Sequence, residues 1–300
     1  MTLVCAGALV REAAGAGRAV AAFNIITLEH AEAVVAGAEA AGLPVILQLS
    51  ENAVKFREGR LLPISRAAAA CAEAAAVPVG LHLDHVKSPE LLRQACDAGY
   101  SSVMYDAAQL PYAENLEATR SAADWAHANG LWIEAELGEV GGKGGAAPLD
   151  PHAPGARTDP DEARRFVADS GVDALAVAIG SSHAMASRTA ALDHALLARL
   201  AKSVEAPLVL HGSSGLPDSE LAAAVAGGIR KVNIGTALNL AMTEAIRTHL
   251  TPADPRPYLA AARAAMTATA TAMIGALNCK DIGGRPWTHS GDAPTAGASC

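Results

Sequence analysis

Residues 78–85 read PVGLHLDH, an apolar run that ends on an aspartate and a histidine. Directly after it comes SPELLRQACDAG (88–99), which carries helix punctuation: Ser88 at the N-cap, Pro89 at the first helical position and Gly99 at the end. This strand-then-helix unit recurs in both directions along the chain. Seven further runs have the same character: AVAAFNI (19–25), PVILQLS (44–50), SVMYDA (102–107), LWIEAELG (131–138), ALAVAIGSSH (174–183), PLVLHGS (207–213) and KVNIGTA (231–237). Between them lie helix-like segments: TLEHAEAVVAGAEAAG (27–42) closing on Gly42, PYAENLEATRSAADWAHANG (111–130), DPDEARRFVADSG (159–171) opened by Asp159 and Pro160, and PDSELAAAVAGG (217–228). Strands alternating with helices through short connections imply right-handed βαβ units and a parallel sheet. Eight such units favour a closed (β/α)8 TIM barrel over an open sheet. The chain also lacks a GxGxxG motif after its first strand, which weakens a dinucleotide-binding reading.

The strand ends carry the chemistry. His85, Glu136, His183 and His211 each lie at the C-terminal end of a run, and in such a barrel those ends converge on the face that holds the active site. A lone histidine at a strand end is more often a hydrogen-bonded structural residue. Three at three strand ends outweigh that reading, because three protein ligands with an open position is the arrangement of catalytic zinc. Asp84, next to His85, suits general acid/base work; its alternative is to cap the following turn. Strict alternation would point Asp84 and His85 to opposite faces, a tension that a strand ending at Asp84 relieves. Glu134 and Glu136 share a face, and inward carboxylates must be paired or metal-bound. Gly212, Ser213, Ser214 and Gly215 precede a helix, and Asn233, Gly235 and Thr236 end the last strand, so together they read as an anion cradle. Lys231 lies at the start of its run, which predicts the wrong end of the barrel for a catalytic amine.

Composition narrows the remaining classes. At 51% hydrophobic residues and 3% aromatics, the core is filled by Ala and Val, which suits close helix–sheet packing. A net charge of −8 argues against a nucleic-acid partner. Five cysteines without CxxC spacing read as reduced thiols. No signal peptide and no membrane-spanning run of about 20 apolar residues is recognised, so a cytoplasmic protein is expected. The Gly/Pro-rich stretch 138–160 predicts a mobile lid, and 283–300 an irregular tail beyond a single catalytic domain over 1–282.

From about Val20 to Met273 these segments resemble the class II, metal-dependent ketose-bisphosphate aldolases, through AFNI, HLDH, SVMYDA, EAELGEVGG, AVAIGSSH, LVLHGSSGL, KVNIGTAL and DPRPYLAAARAAM. The resemblance implies zinc-dependent reversible aldol cleavage of a phosphorylated ketose, fructose or tagatose 1,6-bisphosphate. The products are dihydroxyacetone phosphate and an aldehyde such as glyceraldehyde 3-phosphate. It implies zinc on His85, His183 and His211 with Glu136 as a movable ligand, and Asp84 exchanging a proton with the substrate's C4 hydroxyl. Asn24, Gly180, Gly212, Ser214, Asn233 and Thr236 fall on substrate-binding positions. Ser50 and Arg256 match those for the second phosphate, with the arginine supplied by a neighbouring subunit and hence a homodimer or homotetramer. A monovalent cation, Na+ or K+, near the phosphate is a further family feature.

Three departures stand out. Gly141-Gly142 is followed by Lys143-Gly144 where the family carries an acid, the next carboxylate being Asp150. Ala184 follows His183 where glycine is favoured, and Ser187 replaces a basic residue, with Arg188 beside it. An aldolase for another ketose phosphate, such as a deoxy-ketose phosphate of inositol catabolism, and a catalytically weak sugar-phosphate binding homologue are therefore the alternatives.

Overall fold

A parallel strand buried on both faces needs apolar side chains at odd and even positions alike, and the eight runs supply them. The computed structural model describes residues 2–138, 140, 156–183, 185 and 187–278. The chain runs β1 (Leu3–Val4), α1 (Ala6–Gly15), β2 (Val20–Asn24), α2 (Leu28–Ala41), β3 (Val45–Ser50), α3 (Glu51–Phe56), α4 (Leu62–Ala74), β4 (Val79–Val86), α5 (Pro89–Arg93), β5 (Ser102–Tyr105), α6 (Tyr112–Ala128), β6 (Trp132–Leu137), α7 (Pro160–Ser170), β7 (Ala174–Val177), α8 (His194–Ser203), β8 (Leu208–Leu210), α9 (Asp218–Ala226), β9 (Ile229–Ile234), α10 (Thr236–His249) and α11 (Arg256–Leu277). Strands β2 to β9 pair in parallel with their sequence neighbours, and β2 pairs with β9 to close an eight-stranded barrel. The expected (β/α)8 architecture is the observed one.

The helix punctuation forms as its chemistry dictates. Ser88 and Asp159 accept hydrogen bonds from backbone N–H groups of the first turns of α5 and α7. Gly42 and Gly171 end α2 and α7 at φ 66° and 73°, where a Cβ would be strained. The helix expected over 88–99 is shorter than its sequence suggested: α5 stops at Arg93 and the chain reaches Gly99 through turns.

Two separate cores follow from strand alternation. Outward residues such as Phe23, Leu47, Leu81, Ile133, Leu175 and Ile234 pack under the helices. Inward residues Val20, Ala22, Ile46, Trp132, Ala174, Ala176 and Val209 fill the lower barrel together with Ala6, Leu9 and Val10 of α1. The sequence reading began at residue 19 and missed this plug. Among the described residues β1 pairs with Val79 and Gly80, the first residues of β4. Close approach explains the two glycines here: a Cβ on Gly7 would lie 2.5 Å from the Trp132 ring, and one on Gly80 would lie 2.8 Å from Ala6.

Cys71 and Cys96 are free thiols, whereas Cys5 is disulfide-bonded, against the expectation of reduced thiols throughout. Among the described residues no helix is long and apolar enough to cross a membrane. The expected lid falls largely on residue 139 and residues 141–155, and the tail on 283–300, all outside the described residues, as are Asp150 and Ala184.

Candidate active site

The tension between Asp84 and His85 is resolved by the backbone. Strand β4 continues through both residues to Val86, so the expected strand end at Asp84 is not what happens. Instead, the β4–β5 register shifts between Leu83 and Val86, and His85 adopts φ 51°, one of two non-glycine residues at positive φ among those described. A left-handed conformation at a residue with a Cβ costs on the order of 1 kcal/mol. Here it swings two successive side chains toward one mouth.

At that mouth His85, Glu136, His183 and His211 each offer one ligand atom, all within 4.8 Å of one another. The imidazole centroids of His85 and His211 are 4.8 Å apart, and those of His85 and His183 are 5.3 Å apart. A donor set of three imidazoles and one carboxylate fits a zinc-type ion. Neighbouring carboxylates turn the rings. Asp106 Oδ2 lies 2.8 Å from His85 Nδ1, which leaves Nε2 for the mouth. Glu134 Oε1 lies 2.9 Å from His211 Nε2, and His211 Nδ1 faces Glu136 Oε2 at 3.1 Å. Carboxylate–histidine pairs of this kind fix ring tautomer and orientation at metal centres. Burial alone would push the His211 imidazole down, but Glu134 and Glu136 push it up to about 9. Burial would likewise raise Glu134, yet Lys231 and His211 hold it well below the ordinary carboxylate range.

Gly212 allows the convergence of two strand ends. It sits at φ 67°, and a Cβ there would lie 2.6 Å from the Ser182 carbonyl carbon. This backbone contact brings the segment bearing His183 against the end of β8 that bears His211.

Asp84 is 1% exposed. Asn24 Nδ2 donates to its Oδ2 at 2.8 Å, and Asn233 Nδ2 to its Oδ1 at 3.4 Å. Gln48 Nε2 in turn donates to Asn24 Oδ1 at 2.9 Å. Burial pushes the Asp84 carboxyl up, but His85, His211 and Lys231 together hold it below its ordinary value. A buried carboxylate gripped through both oxygens has a defined direction for proton transfer.

A cavity of about 690 Å³ opens above these groups, lined by Asn24, Ser50, Asp84, His85, His183 and Gly212 among others. Ser213, Ser214, Asn233, Gly235 and Thr236 line it as well. Ser213 Oγ donates to the Asn233 carbonyl at 2.6 Å, and the Ala237 N–H donates to Ser214 Oγ at 3.1 Å. These bonds tie the Gly-Ser turn to the N-terminus of α10, so hydroxyls and backbone N–H groups gather where an anion is favoured. Ser50 caps α3, accepting from the Ala53 N–H at 3.2 Å.

Two expected residues stand apart. Gly180, at φ 122°, packs against the Ala191 carbonyl and does not line the cavity. Arg256 has a side chain 88% exposed, forked onto Asp254, and lies outside the cavity of its own chain. Sequence reasoning passed over Asp106, Glu134 as partner of Lys231, and Lys231 itself. Asp106 ends a strand-like run, the same signal that marked the histidines. Lys231 carried a misleading signal: β9 begins at Ile229, two residues before the run was read to start, and the lysine points into the barrel.

The chain is similar to known proteins over nearly its whole length. Residues 5–282 match the family described as fructose-bisphosphate aldolase class-II. The chain is 38% identical over 285 residues to a fructose-bisphosphate aldolase of Thermus caldophilus, covering 86% of this chain and 92% of that one. The crystal structure of the YdjI aldolase of Escherichia coli K12 superposes with a TM-score of 0.80 at 32% identity, over 92% of this chain and 97% of that one. A fructose-bisphosphate aldolase structure from Campylobacter jejuni, at 22% identity and TM-score 0.78 over 93% and 96% of the two chains, shares the fold.

Proposed function

The chain belongs to the class II fructose-bisphosphate aldolase family, and from that premise we propose that it cleaves fructose or tagatose 1,6-bisphosphate with zinc held by His85, His183, His211 and Glu136. The observation that carries this reading is the meeting of those four ligand atoms within 4.8 Å beside a buried Asp84. When bound, zinc supplies a Lewis acid for the ketone oxygen on which negative charge develops.

The chain's own residues do the rest. Asp84 takes the proton of the C4 hydroxyl as the C3–C4 bond breaks, and Asn24 and Asn233 aim its two oxygens. Asp106 and Glu134 keep the His85 and His211 rings turned toward the mouth. Gly212, Ser214 and Thr236 hold the phosphate on the dihydroxyacetone side, with a monovalent cation, Na+ or K+, beside it. Ser50 meets the second phosphate, joined by Arg256 from a second copy of the chain. The exposure of Arg256, which does not line its own cavity, supports a homodimer or homotetramer. The same reading makes residues 1–282 one catalytic domain working in the cytoplasm.

The test is a coupled assay of dihydroxyacetone phosphate release from both bisphosphates, with EDTA and then with zinc restored. Zinc-restorable release from one of them is expected. Release that survives complete removal of metal would sink the mechanism.

A further inference from the structure

Beneath the mouth lies an ammonium that neither lines the cavity nor belongs to the candidate ligand set. Lys231 is 0% exposed. Its Nζ lies 2.8 Å from Glu134 Oε2 and 2.8 Å from Asn233 Oδ1. Burying an ion pair is commonly no better for stability than burying apolar groups of similar volume, and apolar residues fill the barrel one layer lower.

We propose that Lys231 is a positioning residue that yokes the candidate metal ligand His211 to the acid/base Asp84. One arm runs through Glu134. With Oε2 held by Lys231, Oε1 is presented to His211 Nε2 at 2.9 Å, which leaves His211 Nδ1 directed at the ligand cluster. The other arm runs through Asn233. An amide can flip, exchanging its oxygen and nitrogen. With Oδ1 taken by Lys231, Nδ2 must face Asp84 Oδ1, where it lies at 3.4 Å. Two side-chain orientations, those of Glu134 and Asn233, are therefore set by the same ammonium. The Gln48–Asn24 arm reaches the other Asp84 oxygen without Lys231, so removing the lysine loosens Asp84 without releasing it.

The inference rests on the zinc-aldolase reading, and its test separates the two. Lys231→Met alone strips the cation from the buried Glu134 Oε2 and leaves that carboxylate held by His211 only at Oε1, which invites misfolding. The working variant is therefore Lys231→Met combined with Glu134→Gln, which removes both charges. Wild type and double variant are compared for melting temperature, zinc affinity by chelator competition, and kcat and KM at saturating zinc. The expected result is a folded protein whose zinc affinity falls about tenfold and whose kcat falls about tenfold or more. KM should change by less than about threefold, because the phosphate contacts of Gly212, Ser214 and Thr236 are untouched. A folded double variant with wild-type zinc affinity and kcat overturns the proposal, leaving Lys231 and Glu134 as mutual neutralisers. So does a loss of zinc affinity alone with full kcat at saturating zinc, since the arm to Asp84 then carries nothing. If the wild-type protein shows no zinc-restorable cleavage, the functional reading fails, while chelator competition still decides whether Lys231 holds His211.

Discussion

The lower and upper halves of one barrel interior are built from the same strands and obey opposite rules. On β2, inward Ala22 is followed by Asn24; on β3, Ile46 by Gln48; on β8, Val209 by His211. On β6, Trp132 gives way to Glu134 and then Glu136. Two residues of strand, about 7 Å, separate an apolar floor from a polar mouth. The floor works by shape and the mouth by oriented hydrogen bonds. The contrast teaches that a substitution's level in the barrel, more than its depth of burial, decides whether stability or chemistry suffers: Trp132 and Glu136 are 2% and 0% exposed.

The sharpest break of that contrast is Asp84→Asn. It should lower kcat by about 10²–10⁴-fold, the range of a lost general acid/base, while zinc binding and melting temperature hold. Steady-state kinetics beside a thermal melt would check both halves of the expectation. On the floor, Trp132→Ala should cost about 3–5 kcal/mol of stability yet leave zinc affinity unchanged in the folded protein. Urea unfolding reads the first and chelator competition the second; a weaker zinc site would show that floor and mouth are mechanically coupled. Gly80→Ala, also on the floor, forces a Cβ against Ala6 and should cost about 1–3 kcal/mol, with kinetics unaltered.

The mildest probe is pH. In the metal-free protein the His211 imidazole is raised to about 9 from 6.5. Its contribution to stability is therefore complete below 6.5 and lost as pH rises through about 9. Zinc competes for the same ring. Uptake at pH 8 should release a proton from His211, and at pH 10 should not. Calorimetry in buffers of different ionisation enthalpy would detect it, and an enthalpy independent of buffer at pH 8 would refute the assignment.

Most of the barrel was legible because each strand of the closed sheet is an apolar run bounded by helix punctuation. The metal-ligand candidates were legible because chemistry clusters at strand ends. The plug was not, since Leu3–Val4 is too short to register as a strand and α1 gives no hint of its partner. Which face of each strand points inward was hidden too, because both faces are apolar over most of its length. The positive φ of His85 has no local sequence signal: no glycine or asparagine marks it, and only the need to bring neighbours 84 and 85 to one place hinted at it. Lys231 was misplaced because its run was read to start at the lysine, whereas β9 begins two residues earlier at Ile229. The β8–β9 register steps from Leu208–Ile229 to Val209–Lys231, skipping Arg230, and such a step reverses the alternation from which facing is deduced.

The closure of β2 on β9 also constrains how the chain is made. On the ribosome β2 emerges well before its second neighbour, residues 229–234. Until then the growing parallel sheet keeps a bare edge of unpaired N–H and C=O groups, the feature that invites pairing between chains. The plug helix waits as well, since Gly7 packs on Trp132, which lies far downstream. Newborn chains stalled before Ile229 should thus be sticky and depend on chaperones, and release of the last strand is the event that turns an open sheet into an enzyme.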